Sequence, residues 1–358
     1  MTILVYGATG TTGRLVTHAL LLRGERVTVA GRDLERTRAF GREVDAPARA
    51  AHPTDAEALA RMCEGADVVL SCAGPFSELG EPVLRAALTA GASFADISGE
   101  QHYARDIYQR YESRARREGL AVVTGLSFEP ALADWAAGQA AAALGGGAVD
   151  EVSIAHAYSR TPLSPGMVSS IRAALRAPAW TWSRGRWEPA ALVAERALVS
   201  FPAPLGERLA ISAPLPAAIT IPRHIETAAV KTLVAAGPAS PGRKLALSLA
   251  KAAAPALSAL AASAAASEVE ALGPSRPTRR ELERSRVAVV AEVKRGFSRS
   301  RVALAGADPY RLTAAVAAIA APALRGRQGA LAPAELIAPA EALGQLCERG
   351  DIEVDRGL

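Results

Sequence analysis

One short run constrains this chain more than any other. Gly7-Ala8-Thr9-Gly10-Thr11-Thr12-Gly13 follows directly on an apolar stretch, Ile3-Leu4-Val5-Tyr6, and opens a helical pattern. Each glycine has a mechanical reason. Gly7 permits a tight turn, Gly10 lets backbone approach a pyrophosphate, and Gly13 lets the helix lie close on the strand. The helix N-terminus then offers N–H groups and positive dipole to an anion. A strand, this turn and a helix in that order predict the opening unit of a doubly wound parallel sheet.

The next hundred residues keep the alternation. Strands are predicted at Arg26–Ala30, Ala48–Ala51, Asp67–Cys72, Ser93–Ile97 and Leu120–Thr124. Helices are predicted between them, among them Ala56–Cys63, Pro82–Thr89 and Gln101–Glu118. Strands alternating with helices imply right-handed βαβ units and a parallel sheet covered on both faces. After a helix at Pro130–Leu144 the pattern changes at Gly145-Gly146-Gly147. Longer alternating strands follow at Glu151–Tyr158, Thr227–Ala235, Arg286–Lys294 and Arg299–Ala305, with an Ala-rich helix near Lys244–Leu272. That pattern predicts an antiparallel sheet with helices on one face. The expected fold class is therefore α/β: a Rossmann doubly wound sheet over residues 1–133 and an α+β domain over 134–307. A C-terminal block, 308–358, is expected to return to the first domain through the apolar helix Pro309–Leu324.

The end of the second strand selects the nucleotide. Enzymes for NAD usually place an acidic residue there for the ribose 2′-hydroxyl. This chain has Ala30-Gly31-Arg32, with Asp33 one place later. A guanidinium offers a 2′-phosphate a charged, planar fork, so NADP(H) is expected. The predicted cofactor contacts are Gly7, Thr9, Gly10, Thr11, Thr12, Gly13 and Arg32, with Cys72, Ala73, Gly74 and Pro75 at the end of the fourth strand.

Bulk properties remove other classes. A net charge of +5 over 358 residues argues against nucleic acid. The excess sits in residues 276–301, where nine basic side chains face three acidic ones. This is read as a solvated sheet face, or else, with Arg284 and Arg286 on one strand face and Arg299 and Arg301 on one face of the next so that four guanidinium groups gather, as a dock for an acidic or phosphate-bearing partner. The three cysteines, Cys63, Cys72 and Cys347, have no metal or redox spacing and fit a reducing cytoplasm. No metal is expected. The uncharged stretch Ala252–Ser267 is too short and too Ala/Ser-rich for a membrane span.

The glycine pattern also opens extended short-chain dehydrogenases, which need a Tyr four residues before a Lys. The lysines here are Lys231, Lys244, Lys251 and Lys294, preceded at that distance by Thr227, Ser240, Leu247 and Val290. That pair is missing. The chain instead resembles the saccharopine dehydrogenase-like oxidoreductases, particularly the trans-acting enoyl reductase branch. The resemblance runs over nearly the whole chain. It is carried by Tyr6 to Arg14, Ala30-Gly31-Arg32, Ala73-Gly74-Pro75-Phe76, Asp96-Ile97-Ser98-Gly99-Glu100, Pro165-Gly166-Met167-Val168-Ser169-Ser170, Gly273-Pro274-Ser275, Gly306-Ala307-Asp308-Pro309-Tyr310 with Thr313, and Ala332-Pro333-Ala334-Glu335. It implies NADP(H), a Rossmann domain, a second domain closing the cleft, and a homodimer through the second sheet. It also implies hydride transfer to an activated C=C bond, with C=N or C=O next, on a hydrophobic or carrier-linked substrate. The alternative class is a non-catalytic NADP-binding module. One departure is visible. The family commonly has Gly-Phe-Asp-Ser, then Pro and an Asp two places on. Here Gly125-Leu126-Ser127-Phe128-Glu129-Pro130 is followed by Asp134 four places after the proline.

Hydride transfer usually needs a proton donor for the neighbouring atom. Asp96 and Glu100 flank Ser98-Gly99 at the carboxyl edge of the sheet and are expected donors, set against loop capping. Tyr158 is the third expected donor, sharing one face of its strand with His156. Glu129, beside Pro130 at the start of the helix into the second domain, is a further candidate donor, with helix capping the stronger reading. Trp180, Trp182 and Trp187 suit either a hydrophobic substrate or core packing.

Overall fold

The protein is described by a computed structural model over residues 1–159, 161–190, 195–238 and 277–356. The Ala-rich helix expected near Lys244–Leu272, the Ala252–Ser267 stretch, Gly273-Pro274-Ser275 and Arg276 lie outside the described residues.

Seven strands form the first sheet: β1 (Thr2–Tyr6), β2 (Arg26–Gly31), β3 (Ala48–Ala50), β4 (Val68–Ser71), β5 (Ser93–Asp96), β6 (Ala121–Val123) and, from the C-terminal region, β15 (Gly329–Ala330). Their order is β15-β6-β5-β4-β1-β2-β3, and every pairing is parallel. The chain leaves β3 at one edge and returns on the far side of β1 as β4. The strand order therefore reverses between β1 and β4, the switch point outside which ligands settle in open α/β sheets. Alternate residues of β1 serve opposite cores: Ile3 and Val5 pack with one cluster, Leu4 and Tyr6 with the other. The second cluster holds α3 (Ala56–Cys63), α4 (Phe76–Thr89) and α5 (Gln101–Glu118). The opposite face carries α1 (Thr11–Leu22) and α2 (Leu34–Val44).

The second sheet has nine strands: β7 (Val149–Ser159), β8 (Trp180–Ser183), β9 (Arg186–Pro189), β10 (Arg196–Phe201), β11 (Gly206–Ser212), β12 (Thr227–Pro238), β13 (Arg286–Arg295), β14 (Ser298–Ala307) and β16 (Ile352–Asp355). Its order is β10-β11-β12-β7-β13-β14-β16, with the β8–β9 hairpin joined to β12. The sheet is mixed rather than wholly antiparallel, because β7 and β12 run parallel. The connection between them is long enough to hold two hairpins, so the chain can re-enter in the same direction.

Between the sheets lie α6 (Phe128–Ala143) and α10 (Pro309–Ala323). Both are apolar on all sides and buried nearly throughout, the pattern of a helix covered on several faces. Their alanines let backbone approach closely. A Cβ at Gly138 of α6 would stand 2.6 Å from Pro339 Cγ, so that glycine is a contact point for the C-terminal region. Asp134 on α6, fully buried, joins His224 Nε2 at 2.8 Å and accepts Ala334 N–H at 2.8 Å. It is a structural tie, which is consistent with its displaced position in the motif.

One expectation about side-chain clusters is corrected here. Arg284 does not share a strand face with Arg286. It ends the short helix α9 (Arg279–Arg284), whose N-terminus is closed by a Thr278/Glu281 capping box. Arg286 donates to the Glu283 and Ser285 carbonyls, Arg299 pairs with Glu292, and Arg301 reaches Asp355 and the Ser200 carbonyl. No cluster of four guanidinium groups is gathered, and the stretch is a paired, solvated face. The tryptophans pack locally as well. Trp182 and Trp187 meet edge to face at 5.2 Å and donate to the Thr227 and Ala218 carbonyls, while Trp180 lies under Arg105. They brace the β8–β9 hairpin and do not line the cleft.

Candidate active site

The carboxyl ends of β1, β2, β4, β5 and β6 open into one cleft of about 1290 Å³, walled on the far side by the second domain. Single drug-sized ligands occupy pockets of about 300–1,000 Å³, so this space accommodates a dinucleotide together with a second molecule.

At one end the glycine turn behaves as its spacing requires. Gly7 has φ +78°, and a Cβ at Gly13 would lie 2.2 Å from the Gly7 carbonyl oxygen and 2.9 Å from Ala8 Cα. Gly10 is the N-cap of α1 and no side chain caps that helix, so its first-turn N–H groups are left for an anion. Arg32, Arg36 and Arg14 line the same end. Asp33 does not oppose them freely, since its carboxylate accepts Arg36 N–H at 3.0 Å as the cap of α2. Thr9, Thr11, Thr12, Cys72, Ala73 and Gly74 also line the cleft. Gly13 and Pro75 stand behind the lining, Gly13 as the contact between α1 and the turn and Pro75 as the N-cap of α4.

The middle of the cleft holds the expected donors, but only one faces it. Asp96 is fully buried. Its Oδ1 accepts Ser98 and Gly125 N–H, and its Oδ2 accepts the Tyr103 hydroxyl at 2.8 Å. Burial raises its pKa to about 7 against the pull of those donors. Glu100 is fully buried and accepts Phe76 N–H at 2.7 Å and Ser77 N–H at 2.9 Å, satisfying the first turn of α4. Both carboxylates fix loops around the cleft and neither lines it; as proton donors to a bound substrate they are corrected. Tyr158 does line it. Its hydroxyl donates to Glu129 Oε2 at 3.2 Å, its ring meets Phe128 edge to face, and His156 stacks on it. Glu129, which reads in sequence as a cap, makes no backbone bond. It enters the cleft wall, and burial raises its pKa to about 7.

The other end is apolar. Met167, Ile171 and Leu175 on one face of α7 (Pro165–Arg176), with Leu163 just before it, line this end together with Ile211, Leu215 and Val234. Ser164 caps α7 by accepting Met167 N–H. The Tyr310 hydroxyl accepts Ser164 N–H at 2.7 Å and donates to the Pro162 carbonyl at 2.9 Å, so the Asp308-Pro309-Tyr310 turn anchors this helix across the cleft. Sequence reasoning missed α7, although Ser164-Pro165 is an N-cap followed by proline at N1 and the apolar residues recur at helical spacing.

Comparison with known proteins agrees with this arrangement. Residues 3–123 match the family described as saccharopine dehydrogenase NADP binding domain. The match spans strands β1 to β6 of the first sheet. Curated relatives align over stretches of similar length. A trans-acting enoyl reductase of Mycobacterium tuberculosis is 31% identical over 134 residues, 36% of this chain and 32% of its own. A lipid droplet localized protein of Caenorhabditis elegans is 32% identical over 145 residues, 37% of this chain and 34% of its own. The chain thus spans about a third of the length of these curated relatives. The fold as a whole matches saccharopine dehydrogenase (L-Glu forming) from Saccharomyces cerevisiae, with a TM-score of 0.64, 16% identity and full coverage of both chains. The first domain fits this cofactor on its geometry too: a glycine turn closed to added side chains, an uncapped helix N-terminus, and Arg32 and Arg36 beyond β2 with Arg14 of α1. Among the described residues no group of side chains could hold a metal ion, and no helix is long and apolar enough to cross a membrane.

Proposed function

We propose that this protein is an NADP(H)-dependent reductase that delivers hydride to an activated C=C bond of a mainly hydrophobic substrate. One observation carries the reading. A single cleft runs from the glycine turn and Arg32, past Tyr158, to the apolar wall of α7, so cofactor, proton donor and an apolar substrate share one space. The α1 N-terminus would hold the pyrophosphate, with Arg32 and Arg36 on the 2′-phosphate. Bound NADPH supplies hydride; the chain's own residues do the rest. Leu163, Met167, Ile171 and Leu175 exclude water and align an alkyl or acyl chain. Tyr158 lines the space between the nucleotide end and the apolar wall, its hydroxyl donated to Glu129. The enoyl reductase relatives support C=C over C=N or C=O as acceptor.

The test is NADPH consumption against a panel of enones, enoyl thioesters, cyclic imines and ketones, with NADH in parallel. Turnover of an α,β-unsaturated member with NADPH is the expected result. NADPH binding without consumption of any acceptor would make the chain a non-catalytic NADP-binding module.

A further inference from the structure

We propose that Glu129 is the acid of this cleft: its protonated carboxyl gives a proton to the substrate atom that becomes electron-rich as hydride enters, and Tyr158 orients that carboxyl. The inference rests on the reductase reading and names the donor within it.

The carboxyls around the cleft differ in what their oxygens meet. Asp96 has three protein donors, Glu100 two backbone N–H groups, and Asp33 the α2 N-terminus. Asp96 and Glu100 spend their oxygens on loop and helix donors behind the cleft wall, and Asp33 caps α2 at the nucleotide end. Glu129 is different. Its Oε2 is met by the Tyr158 hydroxyl, while its Oε1 is shielded from solvent and has no protein partner. An ionised oxygen so placed, beside Phe128 and the apolar cleft, is costly. A protonated one is not, and because Glu129 stands in the cleft wall, rotation of the carboxyl about its Cγ–Cδ bond brings the O–H to a ligand. The group that meets it, Tyr158 of β7, is uncharged and carries His156 stacked on its ring, while Tyr310 and Thr313 of α10 line the same cleft. Burial raises its pKa and the Tyr158 hydrogen bond lowers it somewhat, to about 7.

The step balances. Hydride enters the β-carbon of the C=C bond, and the π pair moves to the α-carbon, delocalised onto the adjacent carbonyl. The Glu129 O–H bond breaks, its proton bonds the α-carbon, and the O–H electron pair stays on the carboxylate. NADPH leaves as NADP⁺, and Glu129 recovers a proton from solvent after product departs. One proton is consumed per hydride transferred.

Two measurements test this on the full-length protein. The first is a carboxyl titration by infrared difference spectroscopy in the absence of substrate. A carboxyl titrating near 7 should be present in the wild type, absent in Glu129→Gln, and shifted upward in Tyr158→Phe, which removes the stabilising bond. Asp96→Asn identifies the separate signal of that residue. The second is turnover of the best enoyl acceptor. Glu129→Gln should lower kcat on the order of 100-fold or more, leave the NADPH dissociation constant unchanged, and abolish the fall in kcat above pH 7. A Glu129 signal at the ordinary carboxylate pKa, or a Glu129→Gln enzyme with near wild-type kcat and pH profile, overturns the proposal. A wild type that reduces no acceptor overturns the reductase reading and this donor with it.

Discussion

Burial of His156 should make the stability of the protein depend on pH through a single imidazole. The residue is 1% exposed on β7, opposite Val234 and Val289, and neither ring nitrogen has a hydrogen-bond partner. Burial pushes its pKa down from the ordinary 6.5 to about 3. The unfolded chain binds a proton below 6.5 and the folded chain does not until about 3, so stability is intact above 6.5 and is lost as the pH falls through that window. At a pH roughly two units below the ordinary value, at about 1.36 kcal/mol per unit, the loss is about 2.7 kcal/mol. Replacement by phenylalanine keeps a ring against Tyr158 and removes the titration along with two unsatisfied nitrogens. Urea unfolding of wild type and His156→Phe at pH 7.5 and 4.5 measures the effect. The variant should be at least as stable at the higher pH, and its advantage should grow by about 2.7 kcal/mol at the lower one. An equal difference at both pH values would refute the reasoning, because it would mean the imidazole charges as readily folded as unfolded.

Arg32→Ala should weaken NADPH binding on the order of 10- to 100-fold, the range of one or more charge-assisted bonds, and leave NADH binding unchanged. Paired dissociation constants decide it, and an equal loss for both cofactors would remove the 2′-phosphate from its role. Gly13→Ala should lower stability by about 1–3 kcal/mol or more and abolish cofactor binding, since the new Cβ meets backbone at 2.2 Å. Gly344→Ala, in α12 (Pro339–Glu348) with nothing within 4 Å of the new Cβ, should instead stabilise by roughly 0.5–1 kcal/mol. Thermal melts compare the two. Tyr310→Phe removes both bonds to the 162–164 segment, so amide exchange across α7 should quicken while that of β1 and β4 is unchanged.

The first sheet was legible because its strands are buried on both faces and read as short continuous apolar runs between glycine-rich turns. Gly7 to Gly13 and Arg32 could be assigned roles because each acts through backbone geometry or a charge fixed to a strand end. The second sheet was half legible. Long strands such as β7 and β13 carry buried apolar runs that read as strands, whereas β8 to β11 are only partly buried and their side chains carry little period-two signal. Arg284 was misplaced because basic residues before a strand were read as its continuation, although Thr278-x-x-Glu281 is a capping-box pattern that announces a helix. Asp96 and Glu100 illustrate a deeper limit. A carboxylate at the end of a parallel strand can turn into the cleft or back onto loop amides, and the sequence is the same in both cases. Unmet backbone N–H groups at Phe76, Ser77, Ser98 and Gly125 decided the matter in favour of the loops.

The pairing of Glu129 with Tyr158, 29 positions apart, follows from element lengths rather than from any motif. Glu129 lies in the first turn of α6, which has 16 residues and so runs about 24 Å at about 1.5 Å per residue. The Gly145-Gly146-Gly147 turn reverses the chain, with φ between +71° and +83° at all three positions. Strand β7 then returns beneath the helix at about 3.3 Å per residue. By Tyr158 it has climbed roughly 30 Å, which covers the length of the helix and the turn and brings the phenol back level with the start of α6. The side faced by the helix is set by period two, since Val152, Ile154, His156 and Tyr158 share a face and Ala155 and Ala157 take the other. A one-residue insertion within β7 would therefore turn Tyr158 away from Glu129 and carry His156 with it. An insertion among the three glycines would leave the pair together, because the return path there is set by the sheet register against β12 and β13. The chemistry of the cleft thus depends on a helix and a strand of matched length, joined by a turn whose sequence is dispensable except for its glycines.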